Sequence, residues 1–128
     1  MRLLLDTHAL IWWTHEPEKL TDRVVDVVGD PDNEIFVSAV SAMELATKFR
    51  RNRLDYFTPL ATHFVAESRE LGFLLLDITP EHAQLAGSLQ GSNKDPWDRL
   101  LAAQAQVAKL LLISCDSRMA ELDIDPYW

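Results

Sequence analysis

The sequence predicts an α/β fold, a three-layer α/β/α sandwich built around a mainly parallel sheet. Four short and almost wholly apolar segments occupy residues 2–5, 34–38, 73–78 and 110–114. Strands that are buried on both faces of a parallel sheet have this continuous apolar composition. Helical segments alternate with them, as in repeated β-α-β units. The chain has 128 residues, of which 48% are hydrophobic, so we expect a single domain over residues 1–128.

Helices are predicted between the strands. They occupy residues 7–13, 21–30, 38–52, 58–72, 79–89 and 95–110. Their ends carry recognisable signals, with Thr21 and Asp95 as N-caps, Pro96 at a first helical position and Gly29 as a stop. The Thr-Pro start and the final Gly72 of the fourth segment predict one continuous helix there.

The C-terminal segment is shorter and less regular. A short helix is predicted at residues 117–122, directly after Asp116. Residues 123–128 are a candidate edge strand, although Pro126 lacks the N–H that a strand pairing needs.

The charge balance argues against a broadly basic surface for nucleic acid, because the net charge is −8. An anionic substrate would have to be held by local positive charge. One candidate source is a bound metal ion, and another is the cluster Lys48, Arg50, Arg51 and Arg53. A solvated helix end is the alternative explanation of that cluster.

The sequence predicts a cytoplasmic protein with no membrane association. No stretch approaches the roughly 20 apolar residues that span a bilayer, and Asp6 interrupts the apolar residues at the N-terminus. The single cysteine, Cys115, excludes an internal disulfide and any zinc site built from several cysteines.

Acidic residues fall where the sheet is expected to have its working edge. In open α/β sheets this edge lies beyond the carboxyl ends of the strands. Asp6 ends the first strand, Asp116 follows the last, Glu44 lies early in the helix after the second strand, and Asp95 and Asp98 open the longest late helix. We therefore expect these five side chains to converge.

Helix capping is the alternative for each of these acids. Asp95 and Asp98 occupy the cap and third positions of their helix, and Glu44 stands three residues after Ser41 in the S-x-x-E pattern of a capping box. Asp6 and Asp116 precede helices and can cap them too.

The acids considered together favour a metal site. Two like charges 4 Å apart repel by roughly 4 kcal/mol at an effective dielectric of about 20. Helix N-termini offset only about 0.3 to 1 kcal/mol for each acid. Several carboxylates in one crevice therefore require protons or cations, and an all-oxygen set suits Mg²⁺ or Mn²⁺. The histidine spacings of zinc hydrolases, phosphate-binding glycine loops and G-x-S-x-G are absent from the sequence.

Four segments then resemble the acidic motifs of PIN-domain ribonucleases, in particular the VapC-type toxins of prokaryotic toxin–antitoxin pairs. The segments are LLLDTHALIWW, VSAVSAMELATK, KDPWDRLLAAQA and LLLISCDSRM, and the resemblance spans nearly the whole chain.

The resemblance implies a Mg²⁺- or Mn²⁺-dependent endoribonuclease that leaves a 5′-phosphate and a 3′-hydroxyl. By position, Asp6 and Asp98 resemble the main metal ligands, and Glu44 and Asp116 complete the pocket directly or through waters. Ser114 matches a hydroxyl position beside the last acid. Asp95 is first a helix cap and second a supporting acid.

The resemblance also implies partners. VapC-type proteins usually form homodimers, and a cognate antitoxin lays its C-terminal segment across the acidic groove. Trp12 and Trp13 are candidates for one of these interfaces, while core packing accounts for at least one of them.

A metal-independent ribonuclease that uses two histidines stays open at this stage, and so do two functions outside nuclease chemistry. One is a Mg²⁺-binding phospho-acceptor signalling domain, although Asp6 stands alone where that class has an acidic pair. The other is a non-catalytic interaction module in which every acid is a cap.

Overall fold

The computed structural model describes residues 1–51 and 58–128. Its centre is a sheet of four parallel strands in the order β3-β2-β1-β4. The strands are β1 (Arg2–Leu5), β2 (Glu34–Ser38), β3 (Leu74–Leu76) and β4 (Leu111–Ile113). Each lies within a predicted apolar segment. The predicted α/β/α fold class is therefore confirmed.

Helices cover both faces of the sheet. They are α1 (Thr7–His15), α2 (Asp22–Gly29), α3 (Ala39–Arg50), α4 (Thr58–Thr62), α5 (Phe64–Glu70), α6 (Pro80–Ser88) and α7 (Pro96–Ala108). Two 3₁₀ segments, Pro17–Lys19 and Ser117–Leu122, complete the described helical structure. The second of them is the predicted short helix after Asp116.

Side-chain caps begin several of the described helices, as predicted for Thr21. The Thr21 hydroxyl accepts from the Val24 N–H at 3.3 Å, and Thr79 and His82 form a reciprocal capping box at the start of α6. These bonds satisfy N–H groups that a helix start leaves without backbone partners.

The prediction of one helix over residues 58–72 is wrong. The backbone leaves helical geometry at His63, where φ is −135°, and this separates α4 from α5. Each half then packs against a different neighbour, since α4 contacts α3 and α5 contacts β3. Local residue signals carry no information about this change of direction.

The C-terminal segment joins the sheet at a single point. Tyr127 forms one parallel bridge with Ile113, donates its N–H to the Leu112 carbonyl and accepts from the Ser114 N–H. The candidate edge strand is thus reduced to one bridge, directly after Pro126.

The core divides into two clusters, one on each face of the sheet. Leu3 and Leu5 of β1 pack with Val24 of α2 on one face, whereas Leu4 packs with Leu101 of α7 on the other. Successive side chains of a strand point to opposite faces. Because both faces are covered, every position of β1 after Arg2 is buried.

Within residues 1–51 and 58–128, no helix has the length and apolar character that crossing a membrane requires.

Gly91 provides a test of the loop that precedes α7. Its φ is +129°, and a Cβ there would clash with the Glu121 carbonyl oxygen. We expect Gly91→Ala to lower the free energy of unfolding by about 3 kcal/mol, because it combines backbone strain with a backbone clash. Urea denaturation measures this change.

Gly87→Ala is the matched control. Gly87 lies in α6, and a Cβ there would meet no atom within 4 Å. We expect this change to stabilise the protein by about 0.5 to 1 kcal/mol. Equal effects of the two substitutions would contradict the described loop.

Candidate active site

Five carboxylates converge beyond the carboxyl ends of the strands. They line one cavity of about 60 Å³ together with Thr7, His8, Leu101 and Arg118, and they are Asp6, Glu44, Asp95, Asp98 and Asp116. The parallel sheet explains the convergence, because β1, β2 and β4 all end at this edge. The acids come from four separate parts of the sequence, and the sheet brings them together.

Asp6 is both a helix cap and a cavity residue. Its Oδ1 accepts from the Ala9 N–H at 2.7 Å, and its backbone N–H donates to the Ile113 carbonyl at 3.1 Å. Only 5% of its surface is exposed. Burial raises the pKa of Asp6 to about 6, and the charge of Asp98 adds to this rise.

Ser114 connects two of the acids. Its hydroxyl hydrogen-bonds to the Asp6 side chain, which lowers the pKa of Asp6 somewhat. The same oxygen accepts from the Asp116 N–H at 3.1 Å. Ser114 therefore positions both acids relative to each other.

Asp95 and Asp98 enter the cavity from the start of α7. Asp95 caps the helix, since its Oδ1 accepts from the Trp97 N–H at 2.9 Å. Asp98, the third residue of the helix, accepts from the Asn93 amide at 3.1 Å. Burial raises the pKa of Asp98, and the charges of Asp95 and Asp116 raise it further.

Asp116 is paired with Arg118. The guanidinium contacts both carboxylate oxygens, with Nε 3.1 Å from Oδ1 and Nη2 2.8 Å from Oδ2. This pairing lowers the pKa of Asp116. The Arg118 Nη2 also lies 3.9 Å from Asp98 Oδ2.

Sequence reasoning missed Arg118 and Asn93. The available signal for Arg118 was its position two residues after Asp116, where the tight 3₁₀ turn returns the guanidinium to that carboxylate. Asn93 had no comparable signal, because its partner Asp98 is reached through the irregular loop before α7.

Glu44 does not form the capping box considered for it. The N-cap of α3 is Ser38, whose hydroxyl accepts from the Val40 N–H at 2.9 Å. Ser41 instead shares a 2.9 Å hydrogen bond with the Thr7 hydroxyl. Glu44 is 9% exposed in the second turn of α3 and faces the cavity, so capping does not explain it.

The described residues of the basic cluster lie at the C-terminal end of α3. Lys48 Nζ is 2.9 Å from Glu44 Oε2, one helical turn away. Arg50 and Arg51 are exposed at the end of the helix. Arg53 falls outside the described residues.

The donor chemistry of the cavity suits a hard divalent cation. All five acids offer carboxylate oxygens, the ligand type that Mg²⁺ and Mn²⁺ prefer. Within the described ranges, no three His, Cys, Asp or Glu side chains are already arranged to hold an ion. Arg118 and Lys48 pair with carboxylates of the cavity, so a bound ion would share these carboxylates or displace the two cations.

The raised pKa of Asp6 predicts a specific pH dependence of stability. A carboxyl whose pKa is about 6 in the folded protein and 3.8 in its ordinary state stabilises the fold fully below about pH 4. That contribution, about 3 kcal/mol, is lost as the pH rises through about 6. Asp6→Asn removes the titration while keeping an oxygen for the Ala9 N–H.

We expect the stability of Asp6→Asn relative to the wild type to rise by about 3 kcal/mol between pH 4 and pH 7 in EDTA. Urea denaturation at several pH values measures the difference, in which titrating groups that do not interact with Asp6 cancel. If the free energies of unfolding of the two proteins change with pH in parallel, Asp6 titrates normally.

Comparison with known proteins identifies the family. The PIN domain family profile matches residues 3–125. Ribonuclease VapC22 of Mycobacterium tuberculosis is 31% identical over 121 residues, which cover 91% of this chain and 88% of that protein.

Solved structures share the fold along its whole length. VapBC2 from Rickettsia felis, solved bound to a DNA fragment from its promoter, aligns with a TM-score of 0.73 at 13% identity, covering 99% of this chain and 98% of the other. VapBC-1 from nontypeable Haemophilus influenzae aligns with a TM-score of 0.69 at 18% identity, covering 99% and 97%. The resemblance seen in the four acidic motifs is confirmed: the chain belongs to the PIN-domain family and is a homologue of a VapC ribonuclease.

Proposed function

We propose that this protein is a metal-dependent endoribonuclease, the toxin of a toxin–antitoxin pair, which hydrolyses RNA phosphodiester bonds at a carboxylate-held Mg²⁺ or Mn²⁺ site. The observation that carries the proposal is the convergence of five carboxylates on one small cavity. The 31% identical relative is named a ribonuclease, which supports the same activity here. PIN-domain nucleases are generally metal-dependent.

The proposed roles follow from position and burial. Asp6, at the end of β1, and Asp98, at the start of α7, would be the main ligands of the ion. Glu44 and Asp116 would complete the site directly or through waters. Asp95 would add negative charge while capping α7, and Ser114 would fix the directions of Asp6 and Asp116. A bound divalent ion supplies Lewis acidity and lowers the pKa of a coordinated water.

The protein's own side chains must be ionised to act as ligands. Asp6 has a pKa of about 6, so its carboxylate becomes available as the pH rises through that value. Thr7, whose hydroxyl shares a hydrogen bond with the buried Ser41, and the apolar Leu101 line the cavity beside the acids. Arg118 is 60% exposed at the outer side, where its guanidinium can pass from Asp116 to a substrate phosphate.

Flanking phosphates would be held by the basic cluster. Arg50 and Arg51 are exposed, and Lys48 pairs with Glu44, which lines the cavity. Arg53 belongs to the same proposed cluster by sequence. These cations would offset the net charge of −8 where an RNA strand approaches.

Two partners are part of the proposal. The structural neighbours VapBC2 and VapBC-1 are toxin–antitoxin complexes, which supports a cognate antitoxin for this chain. We further propose a homodimer, acting in the cytoplasm as a single PIN-like domain over residues 1–128.

RNA cleavage with matched carboxylate variants tests the activity. We expect wild-type cleavage with Mg²⁺ or Mn²⁺, none in EDTA, and at least about a 100-fold lower rate for Asp6→Asn or Asp98→Asn, because each removes a ligand charge. Asp26→Asn, an exposed change on α2, serves as the control and should cleave normally. The rates are measured on a labelled RNA.

Metal binding can be measured separately from cleavage, as an increase in the stability of the protein. Mn²⁺ at 100 times its Kd should stabilise the wild type by about 2.7 kcal/mol, and Asp6→Asn by less. Cleavage that survives EDTA would contradict the metal-dependent proposal. A covalent acyl-phosphate after incubation with a small phosphodonor would assign the cavity to a phospho-acceptor, and a thermal midpoint indifferent to Mn²⁺ would favour a non-catalytic module.

The basic cluster predicts a salt effect on RNA binding. Each lost phosphate contact lowers the slope of log K against log salt concentration by about 0.7 for single strands. Arg50→Gln and Arg51→Gln should therefore each weaken binding in EDTA and reduce the slope. Arg69→Gln is the control, because Arg69 is an exposed arginine in the last turn of α5 and does not belong to the basic cluster. Unchanged slopes would exclude these arginines from the binding surface.

A further inference from the structure

The guanidinium of Arg118 is held by carboxylates of the acidic cavity. It contacts both oxygens of Asp116, and its Nη2 lies 3.9 Å from Asp98 Oδ2. The hydrogen bonds to Asp116 and the negative charges of Asp116 and Asp98 raise the pKa of Arg118. Arg118 is therefore a permanent positive charge that two mutually repelling acids share.

The backbone of Arg118 is fixed, whereas its side chain is exposed. The Arg118 N–H donates to Asp116 Oδ1 at 3.0 Å, and the Arg118 carbonyl accepts from the amide of the buried Asn93 at 3.4 Å. The next residue, Met119, is buried in the core. The Arg118 side chain itself is 60% exposed. Because exposed side chains change rotamer readily, the guanidinium can leave Asp116 without a change in the fold.

Asp116 has little capacity for a second cation while Arg118 is in place. A carboxylate offers about four lone-pair sites, two on each oxygen. Oδ1 accepts from the backbone N–H and from Nε of Arg118, and Oδ2 accepts from Nη2, so three of these sites are used. The guanidinium would also repel a divalent ion twice as strongly as it repels a single charge at the same distance.

We propose that Arg118 is an internal counter-ion of the site, which occupies Asp116 in the metal-free protein, competes with the divalent ion and is released when the ion binds. The inference rests on the proposed function and adds the regulation of its metal site. When only a fraction of the protein is free to bind a ligand, the apparent affinity falls by that fraction. Arg118 therefore sets the cation concentration at which the site fills.

Arg118 is better placed for this role than Lys48, which also pairs with an acid of the cavity. Lys48 contacts Glu44 within its own helix. Arg118 itself lines the cavity and reaches acids from two elements, Asp116 after β4 and Asp98 in α7. Since Asp98 is a proposed main ligand, the positive charge of Arg118 acts on the acids that the ion needs.

Mn²⁺ affinity tests the competition without RNA. Isothermal titration calorimetry at one neutral pH gives the Kd of Mn²⁺ for each protein. We expect Arg118→Gln to bind Mn²⁺ about tenfold more tightly than the wild type, because the competitor and its charge are both removed. Arg69→Gln is the matched control, since it makes the same change at an exposed arginine that is not one of the residues lining the cavity. It should change the Kd less than about twofold.

The release of Arg118 can be observed by NMR. In EDTA, the Arg118 Nε–H should give a signal protected from solvent exchange, which is identified by its loss in Arg118→Lys. We expect saturating Mg²⁺, a diamagnetic ion, to abolish this protection. The Arg99 Nε–H is the internal control, because it donates to the Ala86 carbonyl at 2.8 Å and should stay protected. An ion pair with a purely structural role would not respond to Mg²⁺.

Failure of this inference and failure of the nuclease proposal give different results. If the wild type cleaves RNA with Mn²⁺ but Arg118→Gln binds Mn²⁺ no more tightly, or Arg118 stays protected with Mg²⁺ bound, the inference alone is overturned. Tighter Mn²⁺ binding by Arg118→Gln, together with release of Arg118 but no RNA cleavage, would support the inference and count against the nuclease. If neither protein binds Mn²⁺, both are overturned.

Discussion

Repulsion among five carboxylates in a cavity of about 60 Å³ is the constraint on which the site depends. The repulsion is reduced in a different way at each acid. Burial raises the pKa of Asp6 to about 6, so that near neutrality this carboxyl is ionised only at a cost. Arg118 neutralises Asp116 and approaches Asp98, and Lys48 neutralises Glu44. Backbone N–H groups at helix starts hold Asp6 and Asp95.

Capping and cavity lining prove to be compatible roles for three of these acids. Asp6, Asp95 and Asp116 each accept a backbone N–H at the start of a helix and still line the cavity. The geometry of a parallel sheet accounts for this, because the strands end where the following helices begin. One carboxylate oxygen can accept from the helix while the other stays available, so capping supplies orientation for a residue that faces the cavity.

Features that depend only on neighbouring residues in the sequence were predictable. The apolar runs located all four strands, and the Thr21 and Asp95 caps followed from residue type. The five acids could be assigned to one edge because β-α-β connectivity fixes where strands end. The break at His63, the partner of Glu44 and the pairing of Arg118 depend on which surfaces meet after folding. For Glu44, a local capping pattern with Ser41 suggested the wrong partner, since Ser41 bonds to Thr7 across the fold.

The same constraint links stability to function. Without a cation, ionised Asp6 is buried near Asp98, and this pair destabilises the fold as the pH rises through about 6. A ligand that binds only the folded state recovers stability in proportion to its occupancy. A divalent ion would therefore stabilise the folded protein mainly through the acids whose ionisation destabilises it most. These are the acids whose pKa is raised by burial. Arg118 is too exposed to relieve the buried Asp6, and it lies instead at the outer side of the cavity. The structure thus separates a buried inner carboxyl, Asp6, from an exposed outer cation, Arg118, so an anion that approaches the cavity would meet the cation first.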